Sequence, residues 1–149
     1  MKIIKYQDIK DDGIFQKRKV ISDINFLTSE EGMEVLQAAN SNINTLEKWF
    51  NIIGIKHDSI KINGQQIVYS VENVELSLAQ LSSGERLLLY LLACKVSNKP
   101  IIVKSLFERM GNRLENVVYN NLTDYENLTI ILYNADIKPE FTPYFVKEI

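Results

Sequence analysis

The stretch Leu81-Ser82-Ser83-Gly84-Glu85-Arg86, followed by the apolar run from Leu87 to Ala93, decides how this chain folds. Ser82 and Glu85 stand three residues apart, which is the spacing of a capping box at the start of a helix. The run that follows is apolar over a face wide enough for a buried helix. A short, largely apolar segment from Ile101 to Lys104 then predicts a buried strand. The motif therefore predicts a capped, buried helix that leads into the interior of a sheet.

The same motif can also be interpreted as a ligand site. A helix N-terminus carries backbone N–H groups that have no partner inside the helix, and these groups favour a phosphate. Ser82 is small and polar, so it would not obstruct such a contact. The residues leave two interpretations open: a helix cap that serves folding alone, or a surface that meets a phosphate or a partner.

The order of segments around the motif resembles a known class of proteins. Ser82 to Arg86 is similar to the signature motif of ABC-type ATPase heads, the branch that contains the RecF, SMC and OLD-like proteins. Ile101 to Lys104 resembles the Walker B strand, and Thr129 to Tyr133 resembles the switch strand. Both segments are almost continuously apolar, which predicts a pair of buried, neighbouring parallel strands. Lys104 is the exception and is expected at the strand end, with its amine reaching water. The resemblance implies an α/β fold of the minimal P-loop NTPase type. It would have a mixed sheet, an antiparallel β lobe and flanking helices in a single domain over residues 1–149.

The resemblance also implies an interface. In ABC-type heads the signature serine and glycine contact the γ-phosphate of ATP bound to the opposite subunit, which would assign that contact to Ser82 and Gly84. Ser83, Glu85 and Arg86 complete the segment that would face a partner. Arg86 could offer a fork of donors to a carboxylate or phosphate of that partner.

Every residue that would hydrolyse ATP is replaced. Ser105 and Leu106 stand where the Walker B strand of the family leads into an Asp-Glu pair. Neither the Mg²⁺ ligand nor the carboxylate that polarises water is therefore present. Ala135 stands at the position of the switch histidine. The sequence predicts no catalytic residue, no cofactor and no metal site.

The expected P-loop is degenerate as well. Ile24 to Leu27 and Thr28 to Gly32 resemble the strand and the P-loop of such heads. A working P-loop needs further glycines and a lysine to hold phosphate, whereas this segment has Gly32 alone. Glu30 and Glu31 stand where an anion would sit. Their carboxylates would repel a triphosphate, so we interpret the chain as a pseudo-ATPase.

The net charge and the counts of cysteine and histidine exclude several classes of function. A net charge of -2, from 17 basic and 19 acidic residues, provides no field that would attract nucleic acid or an anionic membrane. Cys94 and His57 are the one cysteine and the one histidine, which excludes an intrachain disulfide and a multi-histidine metal site. We interpret Cys94 as a buried structural thiol and His57 as a surface residue. The absence of a signal-peptide core and of a long apolar run predicts a cytoplasmic protein.

Local patterns predict the remaining elements. Lys2 to Ile9 and Ile14 to Ile21 flank a turn signal and predict a β-hairpin. Ser29-Glu30-Glu31 predicts the start of a helix. A helix that Ser41 or Asn44 would cap, and that Gly54 would end, has an apolar stripe. Its members are Leu46, Trp49, Phe50 and Ile53.

Two further patterns fall later in the chain. Asn63-Gly64 predicts a type I′ turn between the strands Ser59 to Ile62 and Gln66 to Val71. A helix is predicted near Asn112 to Leu122, and a terminal strand over Tyr144 to Ile149.

Two classes of function compete. In the leading hypothesis the chain is a catalytically inactive ABC ATPase-like protein that acts through protein–protein interaction, as a homodimer or by binding a partner through the signature face. In the alternative it supplies Ser82 and Gly84 in trans to an intact ABC-type ATPase, in a DNA-related, mobile-element or defence system. Direct DNA binding is supported by family association alone. An unrelated α/β domain with a chance signature also stays open, and a membrane partner is not expected.

Overall fold

A computed structural model describes residues 1–6, 19–21, 29–40, 42–107, 110–133 and 137–148. The chain divides into two compact units. The first unit combines residues 1–23 with residues 98–149, and the second unit is formed by residues 24–97. The fold is α/β, as predicted. The expectation of one domain over the whole chain stays a prediction.

The described residues form strands, helices and two 3-10 segments. The strands are β1 (Lys2–Tyr6), β2 (Lys19–Ile21), β3 (Ser59–Asn63), β4 (Gln66–Val71), β5 (Val74–Ser77), β6 (Ile101–Lys104), β7 (Leu128–Tyr133) and β8 (Phe145–Glu148). The α-helices are α1 (Ser29–Ala38), α2 (Ile43–Ile53), α3 (Ser83–Val96) and α4 (Asn112–Asn121). The 3-10 segments are Leu78–Gln80 and Pro139–Tyr144.

The first unit contains a five-stranded sheet in the order β2-β6-β7-β1-β8, and every pairing in it is parallel. β6 and β7 are neighbours, with Ile102 opposite Thr129, which confirms the predicted buried pair. The side chains of β7 are buried on both faces except for the half-buried Tyr133. A strand covered on both faces is continuously apolar, which is why this pair could be predicted. Lys104 ends β6 and is half-buried, as expected for a lysine at a strand end.

The predicted hairpin between Lys2–Ile9 and Ile14–Ile21 is wrong. β1 pairs with β7 and β8, β2 pairs with β6, and two other strands separate β1 from β2. The sheet is therefore wholly parallel rather than mixed, and the antiparallel strands form a sheet of their own in the second unit. The turn signal acts over a few residues only. Which strands pair depends on the apolar surface that strands far away in the sequence can cover. A local sequence pattern does not contain that information.

The second unit contains α1, α2, α3 and the antiparallel sheet β3-β4-β5. The predicted stripe of α2 is buried throughout, and Gly54 ends the helix with a positive φ of 83°. The cap of α2 is Asn42, whose side chain accepts from the Asn44 N–H, so the choice of Ser41 or Asn44 was wrong. His57 is half-buried rather than a surface residue, with Nδ1 2.8 Å from the Ile55 carbonyl oxygen.

The type I′ turn predicted at Asn63-Gly64 is not found in the β3–β4 hairpin. Asn63 pairs with Gln66 at the end of the β3–β4 ladder, so Gly64 and Gln65 form the turn. Gly64 has a φ of 63° and Gln65 has no positive φ, which fits a type II′ turn and not type I′. Glu72 and Asn73, between β4 and β5, both have positive φ values of 51° and 65°. The type I′ turn therefore lies one hairpin later than predicted.

Helix α3 forms the core of the second unit and packs against α1 and α2. Every residue from Leu87 to Cys94 is buried. Cys94 is 1% exposed, which confirms the prediction of a buried thiol. Since burial covers all sides of α3, its sequence is apolar without strict helical periodicity.

Candidate functional site

The signature segment, Ser82 to Arg86, forms the first turn of α3, and a complete capping box holds it. The Glu85 N–H donates to Ser82 Oγ at 3.2 Å, and the Ser82 N–H donates to Glu85 Oε1 at 3.0 Å. Ser82 has extended backbone angles and is the N-cap. Its hydroxyl proton is not used in accepting from Glu85, so Ser82 can still donate to an external acceptor.

Exposure varies sharply along the signature segment. Ser82 is exposed, Ser83 and Glu85 are half-buried, and Gly84 is buried. A partner that approaches α3 at this end would therefore meet Ser82 first and Gly84 only through its backbone.

The two charged residues of the signature segment, Glu85 and Arg86, lie close to other side chains of the protein. Burial, and to a smaller degree the Glu85 carboxylate, raises the pKa of Tyr69 in β4, so Glu85 lies near that phenol. Arg86 is half-buried, its Nε is shielded from water, and its side chain interacts with neighbouring groups. The expected contact of Arg86 with a partner carboxylate or phosphate stays a prediction.

A second capping box precedes the signature segment, and the sequence interpretation missed it. The Ser77 N–H donates to Gln80 Oε1 at 2.9 Å, and the Ala79 N–H donates to Ser77 Oγ at 3.3 Å. The spacing Ser77-x-x-Gln80 could have predicted this cap. Two capped turns in succession fix the chain on entry to α3.

The Walker B-like position lies in the first unit, directly after β6. Ser105 has a positive φ of 60°, and its N–H donates to the Ile131 carbonyl oxygen at 2.9 Å. Leu106 is 1% exposed. A core residue therefore stands at the position that the resemblance aligns with the water-polarising glutamate of ABC-type heads. Neither side chain carries the carboxylate that ABC-type heads use at these positions to hold Mg²⁺ and to polarise the attacking water.

The other two family positions are less fully described. Ala135 lies outside the described residues, as does the strand expected over Ile24 to Leu27. α1 begins at Ser29, which confirms the helix start predicted there. The P-loop-like segment is therefore helical from Ser29 onward, and Gly32 lies inside the helix. Glu30 and Glu31 occupy the first turn of α1, where carboxylates are favourable beside the free N–H groups of the helix.

A buried polar cluster joins α1 to α3, and nothing in the sequence pattern indicated it. Tyr90, which is fully buried, donates its hydroxyl to Glu34 Oε2 at 2.9 Å. Cys94 Sγ lies 4.0 Å from the other oxygen of the same carboxylate. Burial, with smaller contributions from Cys94 and Glu34, raises the pKa of Tyr90 well above its usual range. The hydrogen bonds compensate for the burial of the carboxylate and the phenol.

The part of the chain that the structure describes shows no group of three or more histidine, cysteine, aspartate or glutamate residues that could hold a metal ion. None of its helices combines the length and the apolar character needed to cross a bilayer. Comparison with models of known protein families and with curated proteins gives no match.

Proposed function

We propose that this chain is a catalytically inactive ABC ATPase-like protein that acts through protein–protein contacts at its signature face. The proposal rests on a contrast between two segments that resemble motifs of ABC-type heads: the signature segment keeps its residues, whereas the end of the Walker B-like strand does not. At the signature, an exposed Ser82 keeps its capping box with Glu85. At the Walker B end, Ser105 and the buried Leu106 replace both acidic residues.

Two further features support the family assignment. β6 and β7, which correspond to the Walker B and switch strands of the resemblance, are adjacent and parallel. The helix that begins at the signature comes before β6 in the chain, as the resemblance requires. The finer description, a minimal P-loop NTPase fold, belongs to this proposal.

Self-association as a homodimer is the simplest form of the contact, since closed two-fold dimers are the commonest oligomers. A capping box can be built from several residue types, and Thr or Asp would cap in place of Ser82. Retention of Ser82, Gly84 and Glu85 together is therefore more than folding alone requires. The alternative partner is an intact ABC-type ATPase, to which this chain would supply Ser82 and Gly84 in trans.

A charge placed on the exposed face tests the contact. Gly84 is buried, so a large residue there would disturb the fold and is unsuitable. Ser82→Asp keeps the cap and adds a carboxylate to the surface. Asn44→Asp is the matched control, because Asn44 is exposed in the first turn of α2, where a carboxylate is also favourable.

We expect light scattering to show that Ser82→Asp lowers the associated fraction while Asn44→Asp does not. In the alternative, the wild-type chain and not Ser82→Asp would raise ATP hydrolysis by an intact ABC-type ATPase encoded beside it. If Ser82→Asp leaves every association unchanged while the protein stays folded, Ser82 is a helix cap only.

A further inference from the structure

The Asn63–Gly64 dipeptide can undergo a reaction that plays no part in forming the β3–β4 hairpin. Asn63 is exposed and is the last residue of β3. No hydrogen bond to its carboxamide is found in the described residues. Gly64 is exposed at the turn, and a Cβ built on it would meet nothing within 4 Å. The Gly64 nitrogen is therefore sterically open, next to a carboxamide that is free to rotate.

An asparagine followed by glycine can react with its own backbone. The Gly64 nitrogen attacks Cγ of Asn63, the new C–N bond closes a succinimide ring, and the C–N bond of the carboxamide breaks to release ammonia. Water then opens the ring at one carbonyl or the other. The product is aspartate at position 63 or an isoaspartyl linkage through its side chain. The net reaction consumes water and releases ammonia, and it needs no oxidant or catalyst.

We propose that Asn63 is a site of spontaneous covalent modification, converted to aspartate and isoaspartate through Gly64. Pairing of Asn63 with Gln66 opposes the reaction, because an extended backbone keeps the nitrogen away from Cγ. That pair is the last of its ladder, and terminal pairs open by local fraying at little cost in free energy. Asn63-Gly64 is the one Asn-Gly step in the sequence.

The modification changes the hairpin. Aspartate adds a negative charge on the face of β3 that also carries Lys61, since alternate residues share a face. An isoaspartyl linkage adds a carbon to the main chain, so residue 63 can no longer pair with Gln66 in the same register. The turn then loses its closing pair, and the end of the β3–β4 ladder frays.

Peptide mass spectrometry of the full chain, held in mildly alkaline buffer over days, tests the site. The internal control is Asn73, which is exposed like Asn63 but lies in the β4–β5 turn and is followed by the β-branched Val74. We expect the modified fraction at Asn63 to exceed that at Asn73 several-fold. Comparable fractions at the two positions would overturn the proposal.

Two variants separate the reaction from general ageing of the protein. Asn63→Gln should abolish the acidic species seen on isoelectric focusing, because glutamine closes its larger ring far more slowly. Asn73→Gln should leave that species unchanged. Circular dichroism verifies that each variant is folded. Persistence of the acidic species in Asn63→Gln would rule out this site.

Discussion

Ser82 is held by reciprocal hydrogen bonds with Glu85, and its loss would leave the Glu85 N–H without its acceptor at the start of α3. We expect Ser82→Ala to lower the free energy of unfolding by about 1 kcal/mol. Urea unfolding measures the change. Ser82→Asp, which caps as well as serine, should keep the wild-type value. An equal loss in both variants would mean that the cap does not stabilise the helix.

Leu106 occupies a position in the core at which a charged residue would not be tolerated. Its side chain belongs to the core, so Leu106→Ala should lower stability by about 2–5 kcal/mol. Leu106→Glu should be at least as damaging, because it buries a charge without a partner. Thermal unfolding measures both. A folded double variant Ser105→Asp, Leu106→Glu that hydrolyses ATP would contradict this account.

Tyr90 makes stability depend on pH in the alkaline range. Burial raises its pKa above the ordinary value of 10.0, so the folded state keeps the phenol neutral while the unfolded chain ionises it. The stabilising contribution is complete below that pH and is lost as the pH rises above it. Urea unfolding at about pH 9 and about pH 11 should show a decrease. Tyr90→Phe should reduce the decrease, whereas Tyr119→Phe, at an exposed phenol, should not.

At the scale of elements, the β4–β5 hairpin contains a strained turn. Glu72 has a positive φ of 51°, a conformation that asparagine adopts more readily than glutamate. We expect Glu72→Asn to raise the free energy of unfolding, by at most about 1 kcal/mol. The lost ion pair with Lys56 is well exposed and contributes little. Chemical denaturation checks the sign, and Glu75→Asn in the neighbouring strand should give no gain.

Some helices, strands and turns could be predicted from local sequence patterns, and others could not. The stripe of α2, the cap of α3 and the strands β6 and β7 could be predicted, because each depends on residues a few positions apart. The cap of α2 was misplaced to either side of Asn42, since several polar residues in this stretch could all cap. The type I′ turn was assigned to Asn63-Gly64 on residue preference alone. The ladder register, which decides which residues are turn residues, depends on the pairing of both strands.

For the whole molecule, the resemblance predicts that no nucleotide is processed. Phosphoryl transfer depends on positioned cations and a positioned water, and Ser105 and Leu106 supply neither. We expect calorimetric titration with ATP and Mg²⁺ to give no tight binding, and the isolated chain to release no phosphate. An affinity in the micromolar range would contradict the assignment as a pseudo-ATPase.

Four features could be predicted from the amino-acid sequence alone: the α/β class, the capped and buried α3, the buried pair β6–β7 and the buried Cys94. These features follow from capping spacing and from the continuity of apolar residues, which act within one segment. The sequence also supplied the candidate signature segment, although the position of Gly84 beneath the surface was not evident from it.

The pairing of the strands became evident only from the three-dimensional structure. It placed β1 between β7 and β8, made the five-stranded sheet wholly parallel and gave the antiparallel strands a separate sheet. It also buried Leu106 and joined Glu34 to Tyr90 across two helices. The physical reason is that strand pairing and burial are set by partners far away along the chain. β1 pairs with residues more than a hundred positions later, and no local pattern encodes that choice.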